Sequence, residues 1–192
     1  MALALHDYED RHGRLPPAAV RGKDGTPLLS WRVLLLPFVG QKDLYDRFQQ
    51  DEPWDSPHNL RLLEHMPPVY APPPGKVGRM PPYHTVCHVF VGPGAAFEGP
   101  HGLRLKADFP DGTSHTLLVV ETGKPVPWTK PEDLPYDPYG PLPDLTGIFH
   151  DGFRARLADG SGHWVTKGTG EASLRAAITR NGGDVLGPDW NP

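Results

Sequence analysis

The spacing of apolar residues predicts an α-helix at the start of the chain. Leu5, Tyr8 and His12 recur at intervals of three and four residues, so they can share one stripe while the acidic residues between them face water. Gly13 follows the last periodic residue, as a C-cap often does, and the prolines at 16 and 17 cannot continue the helix. The pattern therefore predicts a helix of about three turns.

No capping residue stands before this helix. The N-cap is normally Ser, Thr, Asp or Asn, whereas the chain has Met1 and Ala2 there. We expect residues 1–13 to be the stump of a longer N-terminal helix. A frayed terminal helix that docks on a small domain is the alternative.

The pattern that follows is helical at first and then irregular. Ser30 is predicted to cap a short helix that Pro37 interrupts, and a second helical stretch is predicted over 42–49. Residues 52–82 are rich in proline, so we expect them to be irregular and to wrap over the body of the domain.

The period then changes to that of strands, which predicts a sheet within residues 83–167. Each candidate strand is rich in β-branched or aromatic residues. The candidates are residues 83–91, 117–121, 153–158 and 163–166. An Asp-Gly pair at 159 and 160 predicts a hairpin turn between the last two. A C-terminal helix is predicted over 171–181.

These elements predict one α+β domain over residues 1–192. We expect the N-terminal helix to pack through Leu5 and Tyr8 on an antiparallel sheet. A parallel, doubly wound sheet is disfavoured because the segments between the candidate strands are turn-rich rather than helical crossovers. The 25 prolines and 22 glycines have no fixed period, which indicates a loop-rich domain with long proline-rich loops.

Charge and hydropathy exclude two classes of partner. The net charge is -4, and no stretch clusters Lys and Arg, so we expect no nucleic-acid partner and no anionic membrane surface. The longest apolar run, residues 33–39, contains Pro37 and is too short to span a bilayer. We expect the chain as written to be soluble, without membrane contact.

Two histidines flank the single cysteine in the segment HTVCH. On a helix His84 and His88 would form half of a zinc site, but on a strand they lie about 13 Å apart at about 3.3 Å per residue. Because the neighbouring residues favour a strand, we expect no metal here. Cys87 is expected on the opposite face from both histidines, as a core thiol rather than a nucleophile.

Other motifs match functional patterns only in part. Residues 91–97 (VGPGAAF) resemble a phosphate-binding loop, but Pro93 removes a donor and Phe97 replaces the third glycine, so a turn is favoured. Ser161 lies on a hairpin tip, which does not suit a nucleophile elbow.

Two acidic groups lack the ligand spacing of a calcium loop and are expected in solvated turns. These groups are Asp51, Glu52 and Asp55, and Asp108 with Asp111. We therefore expect no enzyme and no cofactor.

Two tryptophans in proline-rich loops are the candidate interaction residues. Trp54 and Trp128 could stack on a sugar or a peptide, or they could fix these loops to the core.

Several motifs together resemble a known family. They are GRLPPA, LLSWRVLLLPFVGQKDLYDRF, DEPWDSPHN, DFPDGTSHTLLVVE, VPWTKPEDLPYD and FRARLADGSGHW. The combination resembles the planctomycete pilin-like family of unknown function, domain of unknown function 1559. That family has a C-terminal signature, H-x9-DG. The counterparts here are His150, Asp159 and Gly160, with one residue fewer in the gap, and Gly162 stands where a β-branched residue is usual.

The resemblance implies a pilin-like head domain. YEDRHGRLPP and DEPWDSP are also similar to the helix exit and a loop of type II secretion major pseudopilins, which implies a membrane-spanning, filament-packing helix in front of residue 1. The implied function is a structural module of the cell envelope or extracellular side that assembles with copies of itself or envelope proteins. The alternative is an extracytoplasmic module that binds a glycan or small solute through its aromatic loops.

Overall fold

The computed structural model describes residues 1–73 and 80–190 of the chain. The helices and strands of this part follow one another in the order α1 (Ala2–His12), β1 (Ala19–Arg21), β2 (Pro27–Ser30), α2 (Trp31–Leu34), α3 (Lys42–Tyr45), β3 (His84–His88), β4 (Phe90–Val91), β5 (Leu117–Pro127), β6 (Leu134–Pro135), β7 (Gly152–Leu157), β8 (Gly162–Thr166) and α4 (Glu171–Ile178). Short 3-10 helices lie at Leu36–Val39, Asn59–His65 and Pro68–Tyr70.

The first helix, α1, ends as the sequence predicts. Gly13 has φ of 74°, and its N–H donates to the carbonyl of Glu9 at 2.7 Å. This left-handed conformation strains residues that carry a Cβ but not glycine. Met1 occupies the N-cap position without a side-chain hydrogen bond to the helix.

The main sheet is antiparallel and has the strand order β3-β5-β7-β8. The predicted α+β fold, with a helix at each end of the chain and an antiparallel sheet between them, is confirmed. Two smaller pairings were not predicted. β1 and β2 form a short hairpin, and β4 pairs with β6 in parallel over two residues each.

The two faces of the main sheet carry different helices. On one face Leu5 of α1 is fully buried with Cys87 and Val119. On the other face Phe153 and Val165 pack with α4. The expected packing of Leu5 is confirmed, whereas Tyr8 is half-buried and also lies against Phe38, with ring centroids 5.4 Å apart. α1 thus covers one side of the sheet at β3 and β5.

The strand β5 is longer than predicted, because it bulges and then continues. Cys87 pairs with Glu121 and Thr85 with Val126, so four residues of β5 loop out opposite one residue of β3. Gly123 in this bulge has φ of 81°, and its N–H donates to the carbonyl of Thr146 at 2.7 Å. The sequence Thr-Gly-Lys-Pro reads as the end of a strand, but tertiary hydrogen bonds carry the strand on to Pro127.

The proline-rich segment is more regular than expected. The predicted irregular stretch over 52–82 contains the 3-10 helices at Asn59–His65 and Pro68–Tyr70, and its residues 74–79 lie outside the described part. The Asn59 amide donates to the carbonyls of Gln49, Glu52 and Pro53. The carbonyls of this segment need hydrogen-bond donors, and one buried side-chain amide supplies them, so the segment is ordered in a way that its proline content did not reveal.

Two predicted helices end early. The stretch predicted over 42–49 is helical only at Lys42–Tyr45, and α4 ends at Ile178 rather than 181. Thr179 leaves the helical conformation, and its hydroxyl donates to the Arg175 carbonyl at 3.0 Å. In residues 1–73 and 80–190, no helix is long and apolar enough to cross a bilayer.

Candidate functional site

The signature residues occupy opposite ends of β7. His150 precedes the strand and is 92% exposed, and its Nδ1 lies 2.6 Å from a carboxylate oxygen of Asp151. Asp159 and Gly160 follow the strand in the hairpin to β8. A six-residue strand spans about 20 Å at about 3.3 Å per residue, so the structure does not bring His150 and the Asp-Gly pair together.

The Asp-Gly hairpin is built from local hydrogen bonds. Oδ1 of Asp159 accepts from the backbone N–H of Ser161 at 2.8 Å and from its hydroxyl at 2.6 Å. Burial raises the pKa of Asp159, but the hydrogen bonds from Ser161, together with the backbone and the nearby His6, outweigh it, and the net shift of the pKa is downward. Gly160 has φ of 90°, which favours glycine at the tip.

The hairpin tip is also held by α1. Nε2 of His6 lies 2.9 Å from the carbonyl oxygen of Ala158, and a Cβ on Gly160 would stand 3.3 Å from Cε1 of His6. The N–H of Asp159 donates to the carbonyl of Thr113 at 3.0 Å. The backbone around the Asp-Gly pair therefore contacts both α1, through Ala158, and the segment before β5, through Asp159.

The two candidate tryptophans differ in accessibility. Trp128 is fully buried: Nε1 donates to the Leu63 carbonyl at 2.9 Å, and its ring stacks on Tyr70 with centroids 5.8 Å apart. Of the two alternatives for Trp128, the structure supports the second, because its ring fixes the proline-rich segment to the core. Trp54 is half-buried, and Nζ of Lys130 lies 5.8 Å from its ring centroid.

The acidic groups noted in the sequence hold loops. Asp108 pairs with Arg104 at 2.8 Å, and hydrogen bonds from that guanidinium lower the pKa of Asp108 to about 2. The Asp111 carboxylate accepts from the N–H of Gly183 at 3.0 Å. Asp51 and Asp55 are exposed. Across the part of the chain that the structure describes, no three His, Cys, Asp or Glu side chains group so as to hold a metal ion.

The HTVCH segment forms β3, and its two histidines have different partners. Nδ1 of His84 lies 2.9 Å from the Pro82 carbonyl, and Nε2 of His88 lies 2.9 Å from the Lys124 carbonyl. His88 is buried, as is Cys87. Burial raises the pKa of the Cys87 thiol to about 11. The expected core thiol is thus observed, and the bulge in β5 explains why His88 is enclosed as well.

A buried ionic cluster that the sequence analysis missed lies beside β3. The Arg32 guanidinium donates to the Cys87 carbonyl at 2.9 Å and to Oδ1 of Asp133 at 2.8 Å. The same oxygen accepts from the backbone N–H of Val89 at 3.0 Å, and Nε1 of Trp31 lies 3.2 Å from Oδ2. An arginine inside the apolar run WRVLLL was the signal for it. The cluster joins α2 to β3 and to the loop before β6.

A cleft with a charged wall lies on the α1 side of the sheet, beyond the edge of that helix. Its volume is about 500 Å³, and its lining includes Val69, Glu121, Arg154, Arg156 and Trp164. We call it the β7 cleft. The strand alternation explains it, because Phe153, Ala155 and Leu157 face α4 while the arginines between them face the opposite way. The FRARL pattern indicates that the two arginines share one face of the strand. It does not indicate which face of the sheet stays uncovered.

Glu121, Arg154 and Trp164 form a row across the cleft, because they lie at paired positions of neighbouring strands. Glu121 pairs with Arg154, and Arg154 pairs with Trp164 on β8. Nη1 of Arg154 lies 3.9 Å from a Glu121 carboxylate oxygen, and its Cζ lies 5.0 Å from the ring centroid of Phe149. Burial raises the pKa of Glu121, and the arginines at 154 and 156 oppose this shift without cancelling it.

Gly162 makes room for the second arginine. A Cβ on this glycine would stand 2.5 Å from Nη1 of Arg156, so the guanidinium lies directly over Gly162. Because Gly162 has no side chain, Arg156 lies across β8 in the cleft.

The fold defines the class of this protein as an α+β domain in which an N-terminal helix covers one face of an antiparallel sheet. Residues 1–87 match the family described as "Protein of unknown function (DUF1559)". This segment runs from α1 to β3, and the match supports the resemblance to that family over this part of the chain. Neither curated proteins nor solved structures gave a match to the chain.

Proposed function

We propose that this chain is a non-enzymatic structural and interaction module, the head of a pilin- or pseudopilin-like protein of the cell envelope. The observation that carries the proposal is the two-sided first helix. Ala4 and Leu5 are buried on the sheet, while Leu3, Asp7 and Asp10 are exposed on the outer face. A helix that covers a sheet with one face and leaves the other free suits a subunit that packs against further copies.

The buried polar groups have structural partners, which supports a non-enzymatic function. The buried Arg32 and Asp133 join structural elements, and the Asp159 carboxylate closes a hairpin. The Cys87 thiol has a raised pKa in the core, which is the reverse of an activated nucleophile. These groups stabilise the fold rather than face a substrate.

The alternative, a module that binds a glycan or small solute, has less support. Its two aromatic candidates were Trp54 and Trp128, and the second is enclosed by Tyr70 and Phe48. Trp54 keeps only part of its ring exposed. We therefore treat solute binding as an outcome that the test must be able to detect.

The test tags the gene at its own locus in the organism that encodes it. We expect the product in the envelope or sheared surface fraction, and cross-linking of intact cells should give a ladder of multimers. A product that stays unassembled in every fraction would remove the proposal. If that product also binds glycans, and Trp54→Ala abolishes this binding while Trp190→Ala does not, the binding module becomes the better account.

A further inference from the structure

We infer that the β7 cleft receives the outer face of α1 from a second copy of this chain. This inference rests on the proposed function and names the contact through which the heads would assemble. The inserted surface is the α1 stripe, which we define as Leu3, Asp7 and Asp10. These residues are spaced by four and three positions, so they lie on one side of the helix.

The α1 stripe is apolar at one end and acidic along the rest. Leu3 is 72% exposed, whereas Ala2, Ala4 and Leu5 of the same helix are buried. Asp7 and Asp10 are exposed, and neither has an ion-pair partner among the described residues. The stripe thus presents two unpaired negative charges and one large apolar side chain.

The β7 cleft is complementary to the α1 stripe in charge and in apolar surface. Arg156 has no ion-pair partner in the described part of the chain, and Arg154 lies only at the outer limit of an ion pair with Glu121. Trp164, on the neighbouring strand, is 39% exposed and offers an apolar surface.

Two arginines at alternate positions of one strand lie about 7 Å apart along it. The carboxylates of the stripe are separated by three helical residues, or about 4.5 Å of rise. Long arginine side chains bridge this difference.

The geometry of the contact determines what it builds. The stripe and the cleft are different surfaces of the same chain, so their contact is heterologous and leaves one of each unused on the two ends. Such a contact closes into a ring or extends into a fibre. A pilin-like head needs a contact of this kind, which each added copy can form again.

The contact is expected to be weak by itself. Three side chains in a small cleft bury far less than the roughly 1,000 Å² of a stable interface. Exposed ion pairs each contribute little, because water and salt screen them. In a fibre, neighbouring heads held by other contacts meet at a high effective concentration, so a weak contact can still fix their register.

Disulfide trapping between two single variants measures such a contact. The Leu3→Cys chain is mixed with the Val69→Cys chain, because Val69 lines the cleft without belonging to its charged row. Both chains also carry Cys87→Ala, because Cys87 lines the same cleft with 4% exposure and its free thiol must not compete. The matched control is the Ala172→Cys chain, whose exposed residue lies on α4 at the opposite face. We expect the Leu3–Val69 heterodimer to exceed both the homodimers and the control pair several-fold at low salt.

Charge inversion identifies the residues involved. Arg154→Glu with Arg156→Glu on the Val69→Cys chain should reduce the trapped heterodimer to the control level, and so should Asp7→Lys with Asp10→Lys on the Leu3→Cys chain. Mixing the two inverted chains should restore it. Arg61→Glu, which inverts another exposed arginine, should have no effect.

A glycine substitution tests the same contact without a change of charge. In the Gly162→Val chain the new side chain would displace the Arg156 guanidinium, so trapping should fall although both arginines remain. Gly168→Ala is the control, because its nearest neighbour would be 3.8 Å from the added Cβ. The thermal midpoints of both variants should remain near that of the wild type.

Failure of this inference and failure of the proposed function give different results. A heterodimer no more abundant than the Ala172→Cys control, or no restoration on double inversion, overturns the inference. If multimers still form in cells, the proposed function stands with another contact surface. If cells contain no multimers and the chain stays outside the envelope fraction, the proposed function fails independently of the trapping result.

Discussion

The guanidinium of Arg32 lies 2.8 Å from the carboxylate of Asp133, and the two side chains are only 0% and 3% exposed. They come from residues about a hundred positions apart. Their pair also holds the carbonyl of Cys87 and the N–H of Val89. The centre of the domain thus depends on one buried ion pair between an early helix and a late loop.

Loss of the carboxylate should destabilise the domain strongly. In the Asp133→Ala chain, Arg32 is left as a buried charge without its partner, which costs about 3–5 kcal/mol of unfolding free energy. Asp46→Ala is the control, because its pair with Lys42 is exposed and should contribute less than about 1 kcal/mol. Urea unfolding of both variants measures the difference. Equal losses would contradict the assignment of the buried pair.

The thiol of Cys87 should react slowly in the folded protein. Its pKa is about 11, so the reactive thiolate is scarce at neutral pH, and the side chain is enclosed. We expect the reaction with a thiol reagent to accelerate by orders of magnitude when denaturant unfolds the chain. The exposed thiol of the Ala172→Cys chain serves as the fast control. Rapid labelling of Cys87 without denaturant would show that β3 opens readily.

The carboxyl of Glu121 should make stability depend on pH. Burial raises its pKa from the ordinary value of 4.5, so the folded chain holds this proton more tightly than the unfolded chain. The stability that the protonated form contributes is then lost as the pH rises through this range. The side chain in Glu121→Gln does not ionise. The thermal midpoint of this variant should therefore rise relative to that of the wild type as the pH increases from about 4 to about 7.

A matched carboxyl separates this effect from general changes in charge. Asp55 is exposed and has no ion-pair partner among the described residues, so the Asp55→Asn chain should follow the wild type at a constant offset. If the Glu121→Gln chain also keeps a constant offset, the carboxyl of Glu121 is not desolvated in solution.

The chain should be monomeric at micromolar concentration. The α1 stripe and the β7 cleft together offer much less area than the roughly 1,000 Å² that stable interfaces bury, and the apolar face of α1 is already used on the sheet. Light scattering at several concentrations measures this. A stable dimer whose mass does not change on dilution would contradict a weak, heterologous head contact.

Short sequence patterns were sufficient to predict the local elements. Gly13 after a 3.6-residue period predicted the end of α1, and Asp159-Gly160 between two β-branched runs predicted the hairpin. The buried state of Cys87 also followed from its strand. These features depend on backbone conformation and on side-chain alternation, which short sequences encode directly.

Which side chains meet depends on how the elements pack in three dimensions. The pairing of Arg32 with Asp133 and the burial of Trp128 under Tyr70 join residues distant in sequence, so no local pattern could reveal them. The FRARL alternation placed Arg154 and Arg156 on one face, but only the position of α1 over β3 and β5 left that face open beside Trp164. The candidate site arose from packing, because the partly covered face of a sheet depends on where the covering helix ends.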